Sequence, residues 1–260
     1  MKSKNVFIFG DTHGISDSFL GQLDSIMKKN GIKRNSPKKD NIVIIAGDCG
    51  FCFWSNNYFT DEKYLFRQRY EADRRKLLTK FPFTFICVLG NHENYEYIYS
   101  LPKAQIFGGK CFKEPNVENV FYLRNGEVIT INNKKIWTFG GGLSIDKVWR
   151  EEHITWWKDE IRIKDFKKGI KSYSENQIDY IITHDVSNEI FNIIAPMLYL
   201  QEKRCPLQNY FSEIKQIRPY KKWFSAHYHP KKILRLNNNK DIVLPICTYI
   251  NLQEEADLNE

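Results

Sequence analysis

The sequence predicts an α/β fold of two mixed β-sheets packed face to face, with helices on both outer faces. Three observations carry that expectation. Residues 5–91 alternate short apolar runs with helical stretches, the pattern of a parallel sheet with crossover helices. The second half is instead rich in short strand-like segments joined by Asn-Gly and Asn-Asn, which read as hairpins. The chain has 260 residues, 42% of them hydrophobic, enough for one large core. No internal repeat, low-complexity tract or linker divides it. The expected organisation is one domain over residues 1–252 and an acidic, frayed tail over 253–260.

Taken in order, Asn5 to Phe9 is a short apolar run ended by Gly10-Asp11 and reads as a buried strand. Ile15 to Lys29 places apolar residues at 15, 19, 20, 23, 26 and 27, which is helical spacing. A polar loop with Gly31 and Pro37 leads to a second buried strand, Asn41 to Ala46, ended by Gly47-Asp48. Thr60 to Lys80 reads as a charged helix with Thr60 as N-cap, stopped by Pro82. Thr84 to Leu89 is a third buried strand, ended by Gly90-Asn91.

Beyond it, Val120 to Leu123, Glu127 to Ile131 and Lys135 to Phe139 read as strands in consecutive hairpins, followed by the loop Gly140-Gly141-Gly142. Lys147 to Ser172 is charged and helical in part. Tyr180 to Thr183 is a strand ending at His184, and Pro206 to Ile217 a helix with proline in its first turn. Lys222 to Ser225 is a strand ending at His227. Lys231 to Leu236 and Asp241 to Pro245 form a last hairpin.

The formal charge is +8 with a pI of about 9.0. Clusters at Lys28 to Lys39 and Arg162 to Lys171 suit anionic substrates and leave nucleic acid open as a partner, although solvated loops and helix faces account for them as well. No apolar run reaches the roughly 18 residues of a membrane span, and the first apolar run is shorter than a signal-peptide core, so a cytoplasmic protein with no membrane partner is expected. Six cysteines without a regular framework fit that compartment. Cys49-Gly-Phe-Cys52 is a lone C-x-x-C and reads as two free thiols in a loop.

Five of the six histidines follow predicted strands beside Asp or Asn, in Gly10-Asp11-Thr12-His13-Gly14, Gly90-Asn91-His92-Glu93, Thr183-His184-Asp185 and Ala226-His227-Tyr228-His229; Gly47-Asp48-Cys49-Gly50 adds a carboxylate. A lone histidine is more often structural than a ligand. Here nitrogen and oxygen donors recur at one end of one sheet, where open α/β sheets bind their ligands. In Asp11-Thr12-His13 and His227-Tyr228-His229 a single residue separates the two donors, so both leave an extended segment on the same side. Imidazole, carboxylate and one amide without thiolate favour divalent Mn, Fe, Zn, Co or Ni over copper(I) or an iron–sulfur cluster. Seven donors exceed what one tetrahedral ion takes. Two ions sharing a bridging carboxylate fit better.

These five segments, in this order from residue 8 to about residue 230, resemble the calcineurin-like metallophosphoesterase superfamily, whose signature is D-x-H, G-D, G-N-H-[DE], H and G-H-x-H. The resemblance implies a metallophosphoesterase-type αββα sandwich and a metal-dependent phosphomonoesterase or phosphodiesterase acting on phosphate esters. It implies two divalent ions, manganese first. Asp11, His13 and His229 would hold one, Asn91, His184 and His227 the other, and Asp48 both. A water bridging ions about 3.5–4 Å apart would become the hydroxide that attacks phosphorus. His92 would hold no metal and would assist the leaving group. A nuclease or nucleic-acid phosphatase using the same site, and a non-catalytic scaffold of the same fold, are the competing classes. All seven ligand positions are filled, which speaks against the scaffold.

Two departures stand out. Ala226 replaces the usual glycine, and Gly47-Asp48-Cys49-Gly50 lacks the Asp-Arg-Gly extension of the Ser/Thr protein phosphatases, which sets that group aside. Phe51-Cys52-Phe53-Trp54, Ser144 to Lys147, Arg150 and Trp156-Trp157 resemble a compact bacterial or phage branch. Arg150 is a candidate substrate-binding residue, since guanidinium matches phosphate in bidentate fashion. At least one of Trp156 and Trp157 is expected to pack in the interior, and His153 to be structural.

Overall fold

The computed structural model describes residues 4–55, 60–201 and 205–257. Its first sheet runs β13-β1-β2-β3-β6-β5-β4. Here β1 is Asn5–Phe9, β2 Asn41–Ala46, β3 Thr84–Val88, β4 Lys103–Ile106, β5 Gly109–Lys113, β6 Val120–Leu123 and β13 Tyr249–Asn251. β1, β2, β3 and β6 are parallel, and antiparallel strands close both edges. The second sheet runs β11-β12-β10-β9-β8-β7, with β7 Glu127–Ile131, β8 Lys134–Phe139, β9 Tyr180–Thr183, β10 Lys222–Ser225, β11 Leu234–Leu236 and β12 Asp241–Val243. Its four inner strands are parallel as well. Both sheets are mixed, and helices flank them.

Strand alternation explains the layering. In β1, Val6 and Ile8 face the second sheet and join Ile44, Ile86, Ile182, Phe224 and Ile242 in the core between the sheets. Phe7 and Phe9 point the other way, onto helix α1 (Asp17–Lys29), where Phe19, Leu23 and Ile26 are buried. Helix α2 (Glu62–Leu78) and the short α3 (Tyr95–Ser100) add Leu78 and Ile98 to the same layer. On the outer face of the second sheet, Trp137, Ile181 and Trp223 pack against helices α4 (Phe166–Ser174) and α6 (Pro206–Ile217). Helix α5 (Asn188–Met197) covers Leu234 and Val243. β2 is buried along its whole length, as a strand covered on both faces must be, hence its unbroken apolar run.

Several expectations need correction. The ligand-bearing strands do not share one sheet: β9 and β10 lie in the second, although their carboxyl ends meet those of β1, β2 and β3. The Asn125-Gly126 turn does not close a hairpin. β6 pairs in parallel with β3 while β7 enters the other sheet, so the turn is a crossing between layers. The Asn132-Asn133 turn does close the β7–β8 hairpin, with both residues at positive φ. The cap of α2 is Asp61, which accepts from the Lys63 amide, and not Thr60. Lys147 to Ser172 is helical in part as expected: residues 147–165 carry short 3₁₀ turns and an isolated bridge between Glu152 and Trp156, and α4 begins at Phe166.

The tail is not frayed over its described part. Leu252–Asp257 forms helix α7, and buried Glu255 accepts from Lys222 at 2.9 Å and Arg235 at 2.8 Å. The expected tail residues 258–260, and 56–59 of the loop after Trp54, lie outside the described residues.

Candidate metal centre

Each predicted metal ligand, and His92 beside them, sits where a parallel strand has just ended. β1 delivers Asp11 and His13, β2 Asp48, β3 Asn91 and His92, β9 His184, and β10 His227 and His229. The backbone there is unusual. His13 (φ 46°), Asp48 (φ 45°), His227 (φ 69°) and His229 (φ 46°) all adopt the left-handed region. For a residue with a Cβ this costs on the order of 1–3 kcal/mol, and it persists only where the surroundings enforce it, typically at functional sites. Ala226 itself does not require positive φ; the turn is taken by His227, which is why alanine is tolerated there.

Close packing of the loops enforces the arrangement. The amides of Thr12 and His13 both donate to the Asp48 carbonyl, at 3.2 and 2.9 Å. A Cβ on Gly90 would lie 2.0 Å from Asp48 Oδ1, and one on Gly47 would lie 2.2 Å from His184 Nδ1. Glycine is therefore the residue that lets each neighbouring donor approach.

The donors form two triads. Asp11, His13 and His229 make one, and Asp11, Asp48 and His184 the other, with the atoms of each within 4.8 Å of one another. Asp11 is common to both triads, and Asp48 belongs to the second. His229 Nε2 lies 2.5 Å from Asp11 Oδ2 and 3.2 Å from His13 Nε2. His184 Nε2 lies 2.9 Å from Asn91 Oδ1 and 3.4 Å from Asp48 Oδ2. His227 lies beside His184, ring centroids 4.8 Å apart and planes tilted by 59°, and its amide donates to Asp11 Oδ1. Oxygen and imidazole nitrogen atoms thus crowd together, and the carboxylates of both triads are buried. That donor set fits divalent cations.

Electrostatics make the same point. Burial alone would push Asp11 and Asp48 up, but His184 and the surrounding imidazoles hold both far below the usual carboxylate range. Burial would likewise push His184 down, yet the two carboxylates raise it to about 10. Without metal, a proton on His184 stands in for the positive charge this pair of carboxylates demands. His227 is lowered by burial and by His184.

His92 stands apart from the triads. Its amide donates to Asp48 Oδ1 at 2.8 Å, while its ring faces Arg150, Nη2 to Nε2, at 3.5 Å. Burial, with Arg150 close by, lowers the imidazole to about 4. Arg150 is held by Asp146 Oδ2 at 2.5 Å and by the Thr155 carbonyl. Trp156 and Trp157 are both buried, Trp157 against Phe53, and His153 pairs with Glu96 away from the donors. All six cysteines are free and buried, Cys49 and Cys52 among them.

Sequence reasoning missed the supporting layer. Asp185 accepts from the Tyr228 hydroxyl at 2.6 Å and from its own neighbour's amide at Val186, and Gln208 bridges Tyr228 and Asp185. This network locks the His184 loop to the His227–His229 loop. Glu93 is buried and accepts from the Cys49 amide at 2.7 Å, tying the loop after β3 to the one after β2; burial and nearby Asp48 raise it to about 8. Ser144 accepts from Asn91 Nδ2, which turns the Asn91 oxygen toward His184. The signal was present for Asp185 and Glu93, each directly following a predicted site histidine.

Two sheets that bring buried carboxylates and histidines to a common edge are the layout of a metal-binding hydrolase. The chain belongs to the calcineurin-like phosphoesterase family, whose model matches residues 4–231. No curated protein gives a match. Among solved structures it is similar to a Staphylococcus aureus protein with a provisional 5'-nucleotidase designation, solved at 2.05 Å with α-ketoglutarate, at 12% identity and TM-score 0.48. That match covers 95% of this chain and 49% of the other, so the chain spans about half of its length. It is also similar to the cold-active protein-tyrosine phosphatase of a psychrophilic Shewanella species, at 14% identity and TM-score 0.33, covering 94% of this chain and 71% of that one.

Proposed function

We propose that the protein is a dinuclear-metal-dependent hydrolase of phosphate esters. One observation carries the reading: Asp11, His13 and His229, and again Asp11, Asp48 and His184, bring their ligand atoms within 4.8 Å of one another around two buried carboxylates, with His13, Asp48 and His229 held in left-handed backbone. In this reading Asp11, His13 and His229 hold one ion, Asn91, His184 and His227 the other, and Asp48 both. Manganese stands first among Mn, Fe, Zn, Ni and Co. When bound, the ions supply a nucleophile from water near neutral pH and offset charge on the phosphoryl oxygens.

The chain's own residues do the rest. Asp11 and Asp48 provide the fixed negative charge. Arg150, steadied by Asp146, orients the phosphoryl group, and His92 hydrogen-bonds or protonates the leaving oxygen. No helix of the described residues is long and apolar enough to cross a membrane. Six free thiols support a cytoplasmic location. A nucleic-acid substrate lacks comparable support. In the two basic clusters Lys29, Arg34, Lys38, Arg162, Lys168 and Lys171 are all ion-paired, with Glu254, Asp24, Glu118, Asp159 and Asp165, Glu127, and Glu175.

The test is chelation followed by reconstitution with each metal, assayed over phosphomonoesters, phosphodiesters, cyclic nucleotides and DNA. Hydrolysis that vanishes with chelator and returns with two equivalents of metal is expected. Hydrolysis that survives chelation, or none with any metal and substrate, would contradict the reading.

A further inference from the structure

Two clefts open from the centre, of about 500 and 620 Å³, and among the described residues only His92 lines both. The first runs past His13 and is walled by Ser16, Trp54, Tyr70 and Arg74. The second runs past Asn91 and His227 and is walled by Leu143, Ile145, Phe191 and Tyr199. Each is large enough for an organic group of nucleoside size. Both present aromatic side chains that stay largely in solvent: Tyr70 is 59% exposed and Tyr199 94%.

Charge adds a second argument. The arginines that face the first cleft each share their charge with a carboxylate, Arg74 with Asp17 at 2.7 Å and Arg150 with Asp146 at 2.5 Å, so Arg150 can still hydrogen-bond a phosphoryl oxygen but adds little net charge. The surroundings of His92 therefore offer little net positive charge beyond the metals. That suits a phosphodiester monoanion better than a monoester dianion, whose second charge would seek an unpaired cation. A monoester would also leave one cleft without an occupant.

We infer that this centre takes phosphodiesters, with one ester arm in each of the two clefts that meet at His92. The inference rests on the phosphoester-hydrolase reading above. In the step it describes, water forms a new P–O bond, one P–O ester bond breaks, and the departing alkoxide takes a proton. The second arm leaves on the phosphate as a monoester. Tyr70 and Tyr199 are the specificity residues, one for each arm.

The test compares thymidine 5'-(p-nitrophenyl phosphate) with p-nitrophenyl phosphate on the manganese-reconstituted protein, the leaving group being the same. The diester should be favoured in kcat/KM by about tenfold or more, the scale of one well-filled apolar pocket. The double variant Tyr70→Ala/Tyr199→Ala should shrink that preference about tenfold. Both side chains are exposed, so folding is not at stake, and thermal unfolding checks this. A monoester turned over as well as the diester, or a preference unmoved in the double variant, would overturn the inference. If neither substrate is hydrolysed, the hydrolase reading fails by itself. Calorimetry then decides the clefts separately: diphenyl phosphate should bind more tightly than phenyl phosphate, and equal or reversed affinities would overturn the two-arm assignment.

Discussion

The imidazole of His184 is fully buried between two carboxylates, 3.6 Å from Asp11 and 3.4 Å from Asp48. In the metal-free protein it carries the proton that balances them, with its folded value raised to about 10 from an ordinary 6.5. A metal ion needs the neutral ring, so loading must expel that proton.

Two outcomes follow from this pair. Metal titration at pH 7 in buffers of different ionisation enthalpy should show net proton release, and His184→Gln should release less. The metal-free protein should also lose stability as pH rises. A folded value above the unfolded one means that the contribution is complete below about pH 6.5 and disappears as pH passes about 10. Urea unfolding of chelated protein between pH 6 and 10 checks the direction; stability rising over that range would contradict it.

His92→Ala should keep both metals and lose roughly 10²–10⁴-fold in kcat, the usual worth of a positioned acid–base group. The loss should be larger for alkyl leaving groups than for p-nitrophenolate, whose oxygen needs little protonation. An equal loss for both would assign His92 to charge stabilisation rather than proton transfer. Loss of a metal in the variant would show it to be a ligand.

Arg150→Lys keeps the charge but not the planar fork that Asp146 orients. KM for phosphate esters should rise about tenfold, in line with loss of a charge-assisted hydrogen bond. Asp146→Asn should do the same to a smaller degree, by loosening Arg150. Unchanged kinetics in both variants would remove the arginine from the site.

Asp185→Asn tests the supporting layer. It weakens the bond to Tyr228 that fixes the His227–His229 turn, and such outer partners are typically worth about 10–100-fold in metal affinity. Competition with a chromophoric chelator measures it, and Tyr228→Phe should follow the same trend. Metal affinity equal to that of the parent protein would limit Asp185 to folding.

How far the sequence could be read depended on whether a signal was local. β1, β2 and β3 were legible because each is an unbroken apolar run after one polar first residue, stopped by Gly and a donor residue. The donors were legible for the same reason, being tied to strand ends. β4 and β5 were not, since Lys103, Lys110 and Gly109 break any clean alternation and the edge of the sheet needs none. Asn125-Gly126 looks locally like a hairpin turn. Pairing of Val120 with Phe85 sends β6 to the other sheet, a choice made by distant partners. The docked tail was hidden likewise: Glu255 is an ordinary acidic residue until Lys222 and Arg235 arrive beside it. Asp146 gained its role only when the loop brought Arg150 against His92.

The most direct test of a two-metal centre bridged by Asp48 is metal stoichiometry by elemental analysis after reconstitution with manganese, comparing the parent protein with Asp48→Asn and Asp11→Asn. Two equivalents are expected in the parent, with Asp48→Asn weakening both ions and abolishing phosphate-ester hydrolysis. Two tightly bound equivalents in Asp48→Asn, with loss of both confined to Asp11→Asn, would make Asp11 the bridge; a single equivalent in the parent protein would contradict the dinuclear centre itself.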